Sequence, residues 1–272
     1  MGMAAILLEL ESSFMAESPS PVLAGRAVLV TGASSGIGRA IALAAARAGA
    51  DVAVTYRSNR AGADAVAGEI AALGRKAAVE ALDLADEAAI RRLGPAVQAA
   101  LGRLDVWINN AGADILTGPG GALSTVEKLD LLLAVDLRGT ILASWEAARL
   151  LAEQADGGVI VNMSWDHVVS GMAGTNPQMY AAVKGGIASF SRGLARSVAP
   201  RVRVNVLAPG WIATAFGDGL DSDTYRAVAD STPLRRWGTP DDVAGAAVFL
   251  ASPAAAFVTG QTIMVGGGVV MG

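Results

Sequence analysis

Tyr180 and Lys184 stand four positions apart in the stretch Tyr180-Ala181-Ala182-Val183-Lys184, which reads as helix. That spacing puts both side chains on one helix face. A free phenol titrates near ~10, too high for ready proton exchange at neutral pH. A neighbouring ammonium favours the phenolate and lowers that value, so the pair can serve as a general acid/base. Taken alone, such a pair is an ordinary feature of a helix surface. Other reactive residue types are sparse, because the 272-residue chain has no cysteine and one histidine, His167. Thiolate nucleophiles, disulfides, Cys-based zinc sites and iron–sulfur ligation are thereby excluded, as is a His-rich metal site. A hydrolytic triad would have to use His167.

A second constellation lies near the N-terminus, in Thr31-Gly32-Ala33-Ser34-Ser35-Gly36-Ile37-Gly38. It falls between the apolar run Ala27-Val28-Leu29-Val30 and an Ala-rich helical stretch over 37–48. Glycines let the backbone turn sharply and approach a phosphate closely, and the following helix presents free N–H groups and a positive dipole end to that anion. Ser34 and Ser35 add hydroxyl donors. The strand–turn–helix context is the one a nucleotide-binding turn requires. After the next apolar run comes Thr55-Tyr56-Arg57-Ser58-Asn59-Arg60, with no acid until Asp64. An acid at this place favours a ribose 2′-hydroxyl, whereas Arg57 can pair with a 2′-phosphate. The expected cofactor is NADP, with NAD as the alternative.

Positioning these groups calls for regularly alternating elements. Short β-branched runs at 27–30, 52–56, 77–81, 106–109, 159–163, 202–207 and 262–265 read as strands. Helical stretches over 37–48, 61–73, 85–101, 125–153, 177–199 and 240–251 separate them. The runs are nearly continuous in apolar residues, as in strands covered on both faces, so an α/β fold with a seven-stranded parallel sheet flanked by helices is expected. One domain over 25–272 follows, preceded by a flexible extension over 1–24.

Composition agrees with that fold. Hydrophobic residues make up 53% and charged residues 17%, which excludes extensive disorder. The net charge of −4 comes without a basic cluster, so nucleic acid and anionic lipid are not expected partners. Ser252-Pro253, Thr259-Gly260 and Gly266-Gly267-Gly268 break the long uncharged C-terminal run, which argues against a membrane span.

Four motifs occur in a fixed order: the glycine turn, Asn109-Asn110-Ala111-Gly112, Tyr180/Lys184, and Pro209-Gly210-Trp211-Ile212-Ala213-Thr214. The ordered set, spanning about 23–272, resembles the short-chain dehydrogenase/reductase family, and within it the 3-oxoacyl-carrier-protein reductase-like and glucose-dehydrogenase-like members. The resemblance implies a Rossmann-like doubly wound domain that moves a hydride between NADP(H) and a carbonyl or secondary alcohol. It implies that Gly32, Ser34, Ser35, Gly36, Ile37 and Gly38 hold the pyrophosphate. Asp83 and Leu84 would hold the adenine, and Asn110, Ala111 and Gly112 would wall the adenosine ribose. Tyr180 would be the proton donor, and Lys184 would bind the nicotinamide ribose and lower the tyrosine pKa. Ile212 and Thr214 would meet the nicotinamide amide beneath a lid running to about 230. A cytoplasmic homotetramer acting on a small-molecule carbonyl or alcohol is also implied.

The chain departs from the family pattern in two places. The serine that orients the substrate oxygen should follow the fifth strand, where the chain reads Ser164-Trp165-Asp166-His167. Ser164 is the expected donor, with Asp166, His167 and Ser170 as alternatives. Asp136 stands where many members carry the asparagine of a proton relay; its carboxylate would stabilise the Lys184 ammonium and partly cancel its pull on Tyr180. Competing readings keep the fold but take a polyol, sugar or steroid alcohol as substrate, or lose turnover altogether and leave an NADP-sensing binding protein.

Overall fold

Each apolar run read as a strand forms one. The computed structural model describes residues 21–214 and 221–271. The elements are β1 (Ala27–Val30), α1 (Gly36–Arg47), β2 (Asp51–Tyr56), α2 (Arg60–Ala72), β3 (Ala77–Ala81), α3 (Glu87–Leu101) and β4 (Val106–Asn109). Then follow α4 (Thr125–Leu132), α5 (Thr140–Glu153), β5 (Gly158–Met163), α6 (Thr175–Val198), β6 (Val202–Pro209), α7 (Ser222–Ser231), α8 (Pro240–Ala251) and β7 (Thr262–Val265). The strands make one seven-stranded sheet in the order β3-β2-β1-β4-β5-β6-β7, and every neighbouring pair is parallel. β1 is flanked by β2 and β4, so the winding reverses there and a crevice opens beyond the strand ends, where a Rossmann-like sheet binds its ligand.

Successive strand residues serve opposite faces, as the pleat dictates. Val28, Val30, Val106, Ile108, Val159 and Val161 pack under α1, α2 and α8 with Ile41, Val66 and Leu250. Leu29, Trp107, Ile160 and Val204 pack under α3, α5 and α6 with Val97, Ala147 and Leu194. Helix starts carry local caps. Ser124 and Glu127 form a capping box on α4, and Thr239 and Asp242 form another on α8.

Two sequence expectations change. The single helix expected over 125–153 is interrupted by a wide π-helical turn at Leu133–Gly139, between α4 and α5. No proline or glycine pair announces it, and its position, spanning Asp136, marks it as part of the site. Of the extension expected over 1–24, residues 1–20 lie outside the described residues. The remainder packs: Leu23 is fully buried and its N–H donates to the Ala48 carbonyl at 2.8 Å.

Candidate active site

The glycine turn is built by neighbours as much as by its own residues. Gly32 and Gly36 hold φ of +64° and +55°, a region that favours glycine. A Cβ on Gly38 would stand 2.4 Å from the Gly32 carbonyl oxygen and 2.5 Å from Asn110 Nδ2, so no side chain fits there. A Cβ on Gly36, by contrast, would meet nothing nearer than Thr214 Cγ2 at 3.9 Å. Ser35 caps α1 with no side-chain hydrogen bond and no acid occupies the first turn, leaving a helix N-terminus suited to an anion.

β2 and β4 fix the turn from below. The Gly32 N–H donates to Thr55 Oγ1 at 3.1 Å. The N–H groups of Asn110 and Ala111 both donate to Thr31 Oγ1 at 3.0 Å. Asn110 Nδ2 donates to the Thr31 carbonyl at 2.9 Å. Asn110 therefore ties β4 to the turn. Thr31 and Thr55 went unread as site residues, although a threonine in an otherwise apolar buried strand is a signal of a local hydrogen-bonding duty.

Two cavities meet over this turn. One, about 650 Å³, is lined by Gly32, Ser34, Ser35, Arg57, Asp83, Leu84, Asn110, Ala111 and Gly112. Nine of the residues read as nucleotide-binding thus gather in one place. The other, about 660 Å³, contains Tyr180, Lys184, Asp136, Ser164, Ile212 and Thr214, and shares Ser35, Asn110 and Gly112 with the first. Gly36 and Ile37 line this second cavity.

α6 carries the reactive pair. Lys184 Nζ sits 5.3 Å from the centre of the Tyr180 ring and 2.8 Å from Asp136 Oδ2, with the lysine and aspartate side chains buried. Asp136 Oδ1 accepts the Ala113 N–H at 2.7 Å. Burial pushes the Tyr180 phenol above its ordinary value; Lys184 pulls it down and Asp136 pushes it up again. The expected lowering by Lys184 is therefore present but outweighed. Burial also opposes the Lys184 charge, yet attraction to Asp136 and Tyr180 prevails and holds the ammonium well above the ordinary lysine range. The site thus keeps a protonated phenol beside a permanent cation.

Of the four groups read as able to orient a substrate oxygen, only Ser164 lines the cavity. Its hydroxyl, however, donates to the backbone carbonyl of Lys184 at 2.9 Å, so its proton is already used inside the protein. The same bond anchors the α6 turn that carries Lys184. Asp166 is fully buried, with its Oδ1 2.6 Å from His167 Nδ1 and its Oδ2 wedged where any side chain on Gly210 or Gly266 would collide. Burial raises the Asp166 pKa against the pull of His167. Ser170 is exposed, its Oγ 3.4 Å from the Gly171 carbonyl.

A buried polar belt lies beneath these residues. Asn109 Nδ2 donates to Asn162 Oδ1 at 2.8 Å and to Ser144 Oγ at 3.1 Å, and Asn162 Nδ2 donates to Ser191 Oγ at 2.9 Å. The belt joins the ends of β4 and β5 to α5 and α6, fixing the helix that carries Tyr180 against the sheet that carries Asn110. Of the lid expected up to 230, residues 215–220 lie outside the described residues. The rest is α7, whose Tyr225 ring stacks on Trp237 at 4.6 Å.

Comparison with known proteins agrees with this geometry. A family model described as enoyl-(acyl carrier protein) reductase matches residues 32–270. The 3-oxoacyl-[acyl-carrier-protein] reductase of Synechocystis sp. is 37% identical over 254 residues, covering 92% of this chain and 98% of that protein. A solved 7α-hydroxysteroid dehydrogenase in complex with NADH and 7-oxo glycochenodeoxycholic acid superposes with a TM-score of 0.83 at 31% identity, covering 95% and 99% of the two chains. A short-chain dehydrogenase from Burkholderia cenocepacia J2315 in complex with NADP gives 0.81 at 36% identity, covering 91% and 99%. The fold and site define an oxidoreductase of the Rossmann type. The chain belongs to the short-chain dehydrogenase/reductase family. Among the described residues no helix is long and apolar enough to cross a membrane.

Proposed function

We propose that the protein, through one catalytic domain over 25–272, interconverts a carbonyl compound and its secondary alcohol with NADP(H). Tyr180 acts as the general acid in reduction and the general base in oxidation. The observation that carries this reading is the placement of Tyr180, Lys184 and Asp136 in a cavity that opens onto the glycine turn. The glycine turn fits a pyrophosphate: a clear space over Gly36, uncapped α1 N–H groups and no acid in the first helical turn. Gly32, Ser34, Ser35, Gly36, Ile37 and Gly38 would hold that group, with Asp83 and Leu84 at the adenine and Asn110, Ala111 and Gly112 beside its ribose. Ile212 and Thr214 would meet the nicotinamide amide. When bound, the nicotinamide supplies a hydride to the carbonyl carbon or takes it from the alcohol.

In reduction, the Tyr180 O–H gives its proton to the substrate oxygen as negative charge develops there. Lys184 stabilises the phenolate left behind, and Asp136 fixes the ammonium. Exposed Arg57, at the end of β2 with no acid nearby in sequence, supports a 2′-phosphate and hence NADP over NAD. Exposed Trp145 on α5, Phe249 on α8 and Phe257 before β7 support a homotetramer packed through those elements, which light scattering would test.

The deciding experiment is Tyr180→Phe. Reduction of a ketone by NADPH should fall by about 10² to 10⁴-fold, the usual worth of a positioned acid, while NADPH still binds. An unchanged rate would remove Tyr180 from the mechanism.

A further inference from the structure

The cavity around Tyr180 contains a half-exposed amide with no partner among the described residues. Asn176 lies in the first turn of α6 and lines the cavity with Tyr180 and Lys184. The three stand at successive intervals of four residues, one above the next along a single face, with about 5 to 6 Å between neighbouring Cβ atoms. Lys184 is paired with Asp136, and the Ser164 hydroxyl donates to the Lys184 carbonyl. Among the described residues the Asn176 side chain makes no hydrogen bond or ion pair. At the wall of a largely apolar cavity, this amide offers two donors and an acceptor to a ligand.

The charges around the cavity restrict that ligand further. Among the described residues Asp114, Asp136 and Lys184 are the only charged ones lining it, and the last two neutralise each other. No cation remains there for a carboxylate or phosphate. Residues 1–20 and 215–220, outside the described set, contain no lysine or arginine to add one. Trp165, Trp211, Ile115, Met172 and Pro177 supply apolar wall.

We infer that Asn176 is a specificity-determining residue, and that the substrate is an uncharged ketone or alcohol with a second oxygen a few bonds from the reacting one. The Tyr180 phenol takes the reacting oxygen; the Asn176 amide, one helical turn nearer the N-terminus, takes the second. This rests on the reading of Tyr180 as the proton donor, and it adds the class of molecule presented to it.

Matched probes test the inference: ethyl acetoacetate, 4-hydroxy-2-butanone, 2-hexanone and acetoacetate. With NADPH, the first two should exceed both 2-hexanone and anionic acetoacetate in kcat/KM by about tenfold or more. Asn176→Ala should erase the advantage over 2-hexanone through KM. Asn176→Asp separates recognition from folding. Its carboxylate accepts but cannot donate, so the hydroxyketone should keep its advantage while the ketoester loses it. The same ketones are titrated by calorimetry into protein loaded with NADP⁺, where they bind without reacting. Selective, Asn176-dependent binding without turnover would sink the catalytic reading and leave the subsite standing. Equal binding of ethyl acetoacetate and 2-hexanone, or a loss in Asn176→Ala shared equally by all probes, would overturn the subsite whatever the turnover.

Discussion

The Lys184 ammonium lies 2.8 Å from Asp136 Oδ2, with both side chains buried and the Tyr180 ring centre 5.3 Å from the same nitrogen. The cation beside the phenol is therefore shared with a carboxylate, and the phenol stays protonated more firmly than it would beside a lone ammonium. This arrangement favours giving a proton over taking one.

Asp136→Asn should lower the Tyr180 pKa, because the carboxylate is one of the influences that raise it. On the proposed mechanism the form active in alcohol oxidation is the phenolate, which accumulates as pH rises through that pKa. The ascending limb of the oxidation profile should shift to lower pH. A limb that stays in place would show that Asp136 does not tune the phenol.

The same substitution also has a structural cost. It leaves a buried ammonium without its counter-charge, a loss of about 3 to 5 kcal/mol when one partner of a buried pair is removed. A clear fall in the midpoint of thermal or urea unfolding should therefore accompany the altered profile.

Arg57→Ala should weaken NADPH about 10- to 100-fold, the worth of one or two charge-assisted hydrogen bonds, and leave NADH nearly untouched. Fluorescence titration of the two nucleotides measures the ratio directly. Equal loss for both would place Arg57 away from the 2′ position.

Asn162→Ala should destabilise the protein by about 1 to 3 kcal/mol, since Asn109 and Ser191 both lose a buried partner. Because the belt joins the sheet to α6, kcat should fall more than nucleotide affinity. Urea unfolding and steady-state kinetics on the same preparation would show both effects.

Asp242 accepts from the Thr239 N–H at 2.6 Å and pairs with Arg236 at 2.6 Å, and these partners hold its carboxyl well below the ordinary aspartate range. A depressed folded-state pKa adds stability that is fully present above the unfolded value and is lost as pH falls through the folded one. Asp242→Asn should therefore narrow the gap between neutral and acid stability, seen as a smaller fall in melting temperature between pH 6 and pH 3 than in the parent protein.

Local spacing explains what was readable from the chain. Tyr180 and Lys184 share a face because four residues make about one helical turn, and the strands stand out because burial on both faces demands unbroken apolar runs. The glycine turn is legible because the positive φ of Gly32 and Gly36 and the close approaches at Gly32 and Gly38 favour glycine. What escaped depends on partners distant in sequence. The bond from Ser164 to the Lys184 carbonyl joins a strand end to a helix backbone, and no spacing rule foretells it. The Asn109–Asn162–Ser144–Ser191 belt draws one residue from each of four elements. α7 buries no residue, so it lacks the apolar stripe by which a helix is recognised.

The wide turn at Leu133–Gly139 carries a mechanical consequence. One extra residue in a helix turns everything before it by about 100° relative to everything after it. Upstream, Leu132 is buried in the small cluster with Met179 and Val183; downstream, Ala143, Ala147 and Leu151 are buried against the sheet. Deleting a single residue here would force a choice between those two contacts, and the helix could honour only one. The segment therefore works as an indexing gear, and its length in residues matters more than the identity of most side chains along it.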